Sequence, residues 1–227
     1  MPAQLDHLVI AARSLEEGVR WCEATLGAAP GPGGAHPLMG THNRLLPIAG
    51  PRFERCYLEI IAIDARQSTA RGPHQRRWFD LDDAALQAAL AQRGPQLVHF
   101  VVRVPDAHAS VEALAAMAPP IARGEVIGAT RDTPSGRLEW QITVRDDGQR
   151  LFDGTLPTLI QWGAAHPSDH MPDAGIALQG LRLAHPRADA LRDALRVIGL
   201  QTGVVAVEPG PPQLIATFTT PRGIVSI

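Results

Sequence analysis

Leu5-Asp6-His7-Leu8-Val9-Ile10 and Leu97-Val98-His99-Phe100-Val101-Val102 are two copies of one pattern, a short apolar run carrying a histidine at its third position. Each run reads as a strand, and each is followed by a capped amphipathic helix. After the first, Ser14 and Glu17 form a capping box, and Leu15, Val19, Cys22 and Leu26 repeat at helical spacing until Gly27 stops the helix. After the second, Asp106 caps AHASVEALAAMA. Further strands complete each copy: THNRLLPIAG and RCYLEIIAID in the first, then GEVIGATR, GRLEWQITVR and TLPTLIQWG in the second.

A third opening run, LQGLRLAHP from Leu178, precedes the helix RADALRDALRVIG and the strands VVAVEP, PQLIATFTT and RGIVSI. The fold expected is α+β, built from tandem βαβββ modules. Modules 1–75 and 95–165 pair into a cup over residues 1–165, joined by a connecting helix at 78–93, and 176–227 forms a reduced third module. Aligning opening strands sets His7 against His99 and Gly180. Aligning closing strands sets Glu59 against Gln161 and Val225. The first two modules thus carry polar residues where the third has glycine or an apolar residue.

If the first two modules pair about a pseudo-twofold axis, His7, Glu59, His99 and Gln161 converge. Two imidazoles, a carboxylate and an amide oxygen suit one divalent metal such as Zn, Ni, Mn or Fe(II). Glu59 would serve both as ligand and as catalytic proton acceptor. Asn43, the chain's only asparagine, is a candidate to orient a substrate oxygen or Glu59. Tyr57, two residues from Glu59, shares its face. His36 is placed as a gate or proton shuttle, and Trp140 as the floor of an apolar pocket. His166, Asp169 and His170, in a Pro-rich stretch between modules, read as a solvated linker, and Cys56 as packing.

The segments LDHLVIAARSLEEGVRW, HPLMGTHNRLLPIAG and YLEIIAID, with VHFVVRV, RLEWQITV and LPTLIQW, resemble the vicinal oxygen chelate superfamily and, within it, the glyoxalase-like domain family. The resemblance covers essentially the whole chain. It implies a paired βαβββ cup holding a divalent metal on first-strand and last-strand residues, here His7, Glu59, His99 and Gln161. It also implies lyase, isomerase or hydrolytic chemistry on a small substrate chelated through adjacent oxygens. Glutamine at 161, where many glyoxalase relatives have glutamate, departs from that pattern and counts against the glutathione-hemithioacetal reaction. The alternatives are a non-catalytic protein, metal-free or metal-decorated, that sequesters a small apolar ligand as antibiotic-binding relatives do, and an iron-dependent ring-cleaving dioxygenase.

Composition narrows the field. The 227 residues suffice to bury roughly 70% of the unfolded surface without staples. All 21 basic residues are arginine, so Schiff-base and phosphate-loop lysine chemistry is absent. A formal net charge of -2 with 4% aromatics gives no footprint for nucleic acid or anionic membrane. Two cysteines offer no CxxC pattern, and no apolar run approaches the roughly 20 residues of a membrane span. A cytoplasmic bacterial protein, monomer or homodimer, is expected, with a small-molecule substrate as its partner.

Overall fold

The computed structural model describes residues 2–227 apart from Arg71, Pro73, Ser135, Thr202 and Val204. The first module is β1 (Gln4–Ala11), α1 (Leu15–Leu26), β2 (Ala35–His36), β3 (Thr41–Pro47) and β4 (Tyr57–Ile63). After α2 (Ala84–Arg93) comes the second: β5 (Gln96–Arg103), α3 (Ala107–Ala115), β6 (Glu125–Thr133), β7 (Gly136–Val144) and β8 (Thr158–Trp162). All eight strands form one sheet in the order β2-β3-β4-β1-β5-β8-β7-β6. At its centre β1 and β5 run antiparallel, while β4 is parallel to β1 and β8 is parallel to β5. The two modules are thus related by a pseudo-twofold between β1 and β5.

Local chemistry accounts for the helix that opens the fold. Ser14 Oγ accepts the Glu17 N–H, and Gly27 closes α1 at φ 84°. The helix lies so close to β4 that a Cβ at Gly18 would sit 2.3 Å from Ile60 Cγ2. Glycine, rather than the neighbouring Val19, therefore makes the close contact.

Alternation along β1 divides two cores. Leu8 and Ile10 face the helices and join Cys22, Leu26, Phe100 and Val102. Val9 and Ala11 face the concave side with Met39, Ile61, Phe79 and Val101.

The connecting helix is shorter than 78–93. It starts at Ala84, where Asp83 caps it by accepting the Leu86 N–H. Phe79 and Asp80 just upstream hold φ of 59° and 57°, left-handed values that no helix continues through. That turn drops Trp78 and Phe79 against the concave face.

The third unit comprises β9 (Ala177–Ala184), α4 (Ala188–Val197), β10 (Val205–Glu208), β11 (Gln213–Thr220) and β12 (Gly223–Ser226). Its element order repeats βαβββ, but its sheet runs β10-β9-β11-β12. The strand after α4 is the one parallel to β9, and β12 lies at the edge beside β11. Val225 therefore has no topological kinship with Glu59. Leu178, Leu181, Leu183, Leu191 and Phe218 of this unit share one apolar core with Leu8, Ile10 and Phe100. No helix among the described residues is long and apolar enough to cross a membrane.

Candidate functional site

The concave face of the large sheet holds a small cavity of about 40 Å³ lined by His7, His36, Asn43, Tyr57, Glu59, Trp78, Phe79, Arg131, Trp140 and Trp162, among others. Strand alternation puts Tyr57 and Glu59 on this face of β4. The ladders set His7 beside Tyr57 and Val9 beside Glu59. Glu59 is 5% exposed, and burying a carboxylate without donors would be costly. Asn43 on β3 supplies one, with Nδ2 donating to Glu59 Oε1 at 2.6 Å.

The amide of Asn43 is fixed on its other side too, since its Oδ1 accepts the Gly34 N–H at 2.8 Å. Its Nδ2 also lies 3.4 Å from His36 Nε2. His36 Nδ1 stands 3.1 Å from Thr41 Oγ1. Burial pushes the His36 imidazole down to about 4, a shift that Glu59 opposes and Arg131 reinforces. His36 is thus a neutral member of the Asn43 network, with Nδ1–H donating to Thr41. The Gly-Gly pair that opens this segment has a packing reason. A Cβ at Gly33 would lie 2.1 Å from the Asn43 carbonyl oxygen, and one at Gly34 would lie 2.5 Å from Arg131 Nη1.

Across from Asn43, His7 Nε2 lies 3.7 Å from Glu59 Oε2. His7 stacks on Tyr57 at 4.6 Å, and its Nδ1 is held by Asp6 Oδ1 at 2.7 Å. Strict alternation would send Asp6 to the opposite face. The β1–β5 register instead shifts between Leu5 and His7, so Asp6 is the extra residue of a bulge and joins His7 in one network.

Asp6 also accepts from Trp162 Nε1 and His166 Nε2, each at 3.0 Å. Full burial alone would raise the Asp6 carboxyl. The hydrogen bonds from His166 and His7 outweigh it and hold the group well below the usual carboxylate range. His166 is 2% exposed and structural rather than part of a solvated linker. Asp169 accepts from the His166 backbone N–H and pairs with Arg55. The sequence pattern did not single out Asp6, Trp162, Trp78 or Arg131. Trp78 stands edge-on to His36 at 5.1 Å, and Trp140 and Trp162 lie 5.5 Å apart.

Residues 5–198 match the model of the glyoxalase-like domain. The chain belongs to the glyoxalase-like domain family. No curated protein matches. Among solved structures, a hypothetical protein from Staphylococcus aureus is similar over 95% of this chain and 91% of its own, at 14% identity and a TM-score of 0.61. Variants of methylmalonyl-CoA epimerase from Streptomyces coelicolor are among the further neighbours. One such variant structure, bound to 2-nitronate-propionyl-CoA, is 17% identical over 73% of this chain and 99% of its own, with a TM-score of 0.43. The epimerase from Mycobacterium tuberculosis is 17% identical over 71% of this chain and 88% of its own, with a TM-score of 0.39.

The four metal ligands expected of this glyoxalase-like protein do not come together. His99 does occupy the pseudo-symmetric position to His7, but both its ring nitrogens are taken. Nδ1 stands 2.9 Å from the Gly154 carbonyl, and the Thr158 backbone N–H donates to Nε2 at 3.0 Å. That donation fixes the neutral tautomer with the proton on Nδ1. Burial, then the charges of Arg123 and Arg150, push this imidazole well below its ordinary value.

Gln161 lies on the other face of β8 from Ile160 and Trp162. Its Oε1 accepts the Ala107 N–H at 2.9 Å, at the start of α3. The ladders give the reason: Val9 faces Glu59 and Val101 faces Thr158, so the true counterpart of Glu59 is Thr158. An offset of three residues is odd and reverses the side chain. Arg123 donates to Thr158 Oγ1, setting a cation where a metal's second carboxylate would stand. Only His7 Nε2 and Glu59 Oε2 remain, and among the described residues no three His, Cys, Asp or Glu are grouped to hold a metal. The donor set does not fit a protein-held divalent ion.

Proposed function

We propose that the cup catalyses proton transfer on a small oxygenated substrate, in an isomerase step that passes through an enolate. Glu59 Oε2 removes a proton from the carbon next to a carbonyl, the electron pair moves onto the carbonyl oxygen, and the proton returns to the substrate. The observation that carries this reading is the asymmetric setting of Glu59. Its Oε1 is anchored by Asn43, and its Oε2 is left facing the cavity and His7 Nε2. Asp6 accepts the His7 Nδ1–H, which directs the Nε2 lone pair at the same point, where it can relay the proton between Glu59 and the substrate oxygen. The tryptophans around the site exclude water and strengthen these interactions.

A sequestering protein needs no buried carboxylate anchored at one oxygen, and ring cleavage by iron needs a ligand set that is not grouped among the described residues. Both rank below proton transfer. The test is deuterium wash-in, followed by NMR, across 1,2-dicarbonyls, 2-oxo acids and 2-hydroxy ketones. It uses chelator-treated wild type and Glu59→Gln. Wild type should exchange at least one substrate class, and the variant should lose roughly 100- to 10,000-fold. Exchange that requires added metal, or that survives Glu59→Gln, would overturn the assignment.

A further inference from the structure

The side chain of Arg131, on β6, makes no hydrogen bond or ion pair among the described residues, and its Nε is buried without a partner. Arg77 and Arg103 also each leave one buried nitrogen without a partner, but their guanidinium groups bond elsewhere, Arg77 to Asp82 at 2.5 Å and Arg103 to Gln4, and Arg150 pairs with Asp80 at 2.8 Å. The glycine at 34 leaves the room in which the Arg131 guanidinium lies. An arginine stays charged in any protein setting, so a half-buried guanidinium with nothing to bind is a cost that a ligand can offset. Trp78 Nε1, a second buried donor without a partner, lines the same cavity.

Arg131 also lines a second cavity. This groove, of about 540 Å³, runs between the Ala28–Gly33 loop, Leu46, Leu138 and the Met171–Ala174 segment. Leu45, Arg131 and Pro167 border both spaces, so cup and groove meet at the guanidinium. The cup itself is too small for more than the reacting end of a substrate, whereas the groove is of ordinary ligand size and largely apolar.

Building on the proton-transfer reading, we infer that the substrate is a carboxylate with an extended apolar body, such as an aryl- or alkyl-substituted 2-oxo acid. Arg131 takes the carboxylate in a two-point contact. The acidic carbon then sits towards Glu59, and the apolar body lies in the groove. Trp78 Nε1 donates to the remaining substrate oxygen. The guanidinium neutralises the substrate's own negative charge, which would otherwise repel the Glu59 carboxylate.

The probes are 2-oxo-4-phenylbutanoate and its methyl ester, titrated by quenching of the fluorescence of Trp78, Trp140 and Trp162. Wild type should bind the acid at least tenfold more tightly than the ester. Arg131→Gln should weaken the acid roughly 10- to 100-fold and leave the ester unchanged, with Arg131→Lys in between. Glu59→Gln should keep acid binding while losing deuterium exchange. An equal affinity of wild type for acid and ester, or acid binding unaffected by Arg131→Gln, overturns the inference. Should Arg131→Gln fail to fold, the acid-to-ester ratio of wild type decides alone. Retained acid binding together with exchange that survives Glu59→Gln would instead remove the proton-transfer reading and leave the carboxylate site standing.

Discussion

Asn43→Asp is nearly isosteric, yet it should convert the anchor of Glu59 into a like charge. Oδ1 can still accept the Gly34 N–H, but the former Nδ2 becomes an oxygen 2.6 Å from Glu59 Oε1. Two full charges at that distance repel by about 6 kcal/mol at an effective dielectric near 20. That is a large share of the roughly 5–15 kcal/mol that holds a domain folded. The pair escapes by sharing one proton, so its folded affinity for that proton rises far above that of the unfolded carboxylates. The folded state then binds more protons than the unfolded one, and stability falls as pH rises.

The variant should therefore approach wild-type stability near pH 4 and lose ground steadily up to pH 8 or 9. Urea unfolding across that range, with Asn43→Ala as the uncharged control, measures it. Asn43→Ala should instead cost a roughly constant 2–4 kcal/mol, from a lost charge-assisted bond and an orphaned Gly34 N–H. A stability difference between Asn43→Asp and wild type that does not change between pH 5 and pH 9 would refute the contact and the reasoning built on it.

Three further outcomes are expected. His36, pushed down to about 4, and His99, pushed well below its ordinary value, stay neutral in the fold but take up protons when unfolded below about pH 6.5. Unfolding titrations between pH 7 and 4.5 should thus show stability dropping by up to about 1.4 kcal/mol per pH unit for each histidine, and a flat profile would contradict their burial. Gly33→Ala puts a methyl group 2.4 Å from Asn43 Oδ1, so it should lower Tm and deuterium exchange together, while Gly128→Ala, with open space around it, should change neither. Cys22, raised to about 12, and Cys56, raised well above its usual value, are both buried and should resist a disulfide reagent at pH 8 until denaturant is added; rapid labelling of the native protein would show otherwise.

Much of the architecture was legible because it is written in local repeats. The period-two runs at Leu5 and Leu97, the caps at Ser14 and Asp106, and the shared face of Tyr57 and Glu59 depend only on neighbours in the chain. The same locality made His7, Glu59 and Asn43 visible as candidates.

What locality cannot encode is register, bulges and the approach of distant strands. Choosing Gln161 over Thr158 was a slip of three positions in a strand whose ladder partner lies more than 50 residues away. Asp6 enters the site only because β1 bulges against β5. Trp78 does so only because Phe79 and Asp80 turn left-handed ahead of α2. Arg131 is unremarkable in sequence, one arginine among 21, until the sheet curls and brings β6 across from β4. The sequence alone thus determined the repeated modules, the caps and the facing of Glu59, since each follows from spacing along one segment. The tertiary structure alone decided that His99 is closed off, that the second module answers Glu59 with a threonine and an arginine, and that an unpaired guanidinium faces the cup. Those are consequences of which strands meet and in what register, and strand pairing is a property of the whole chain.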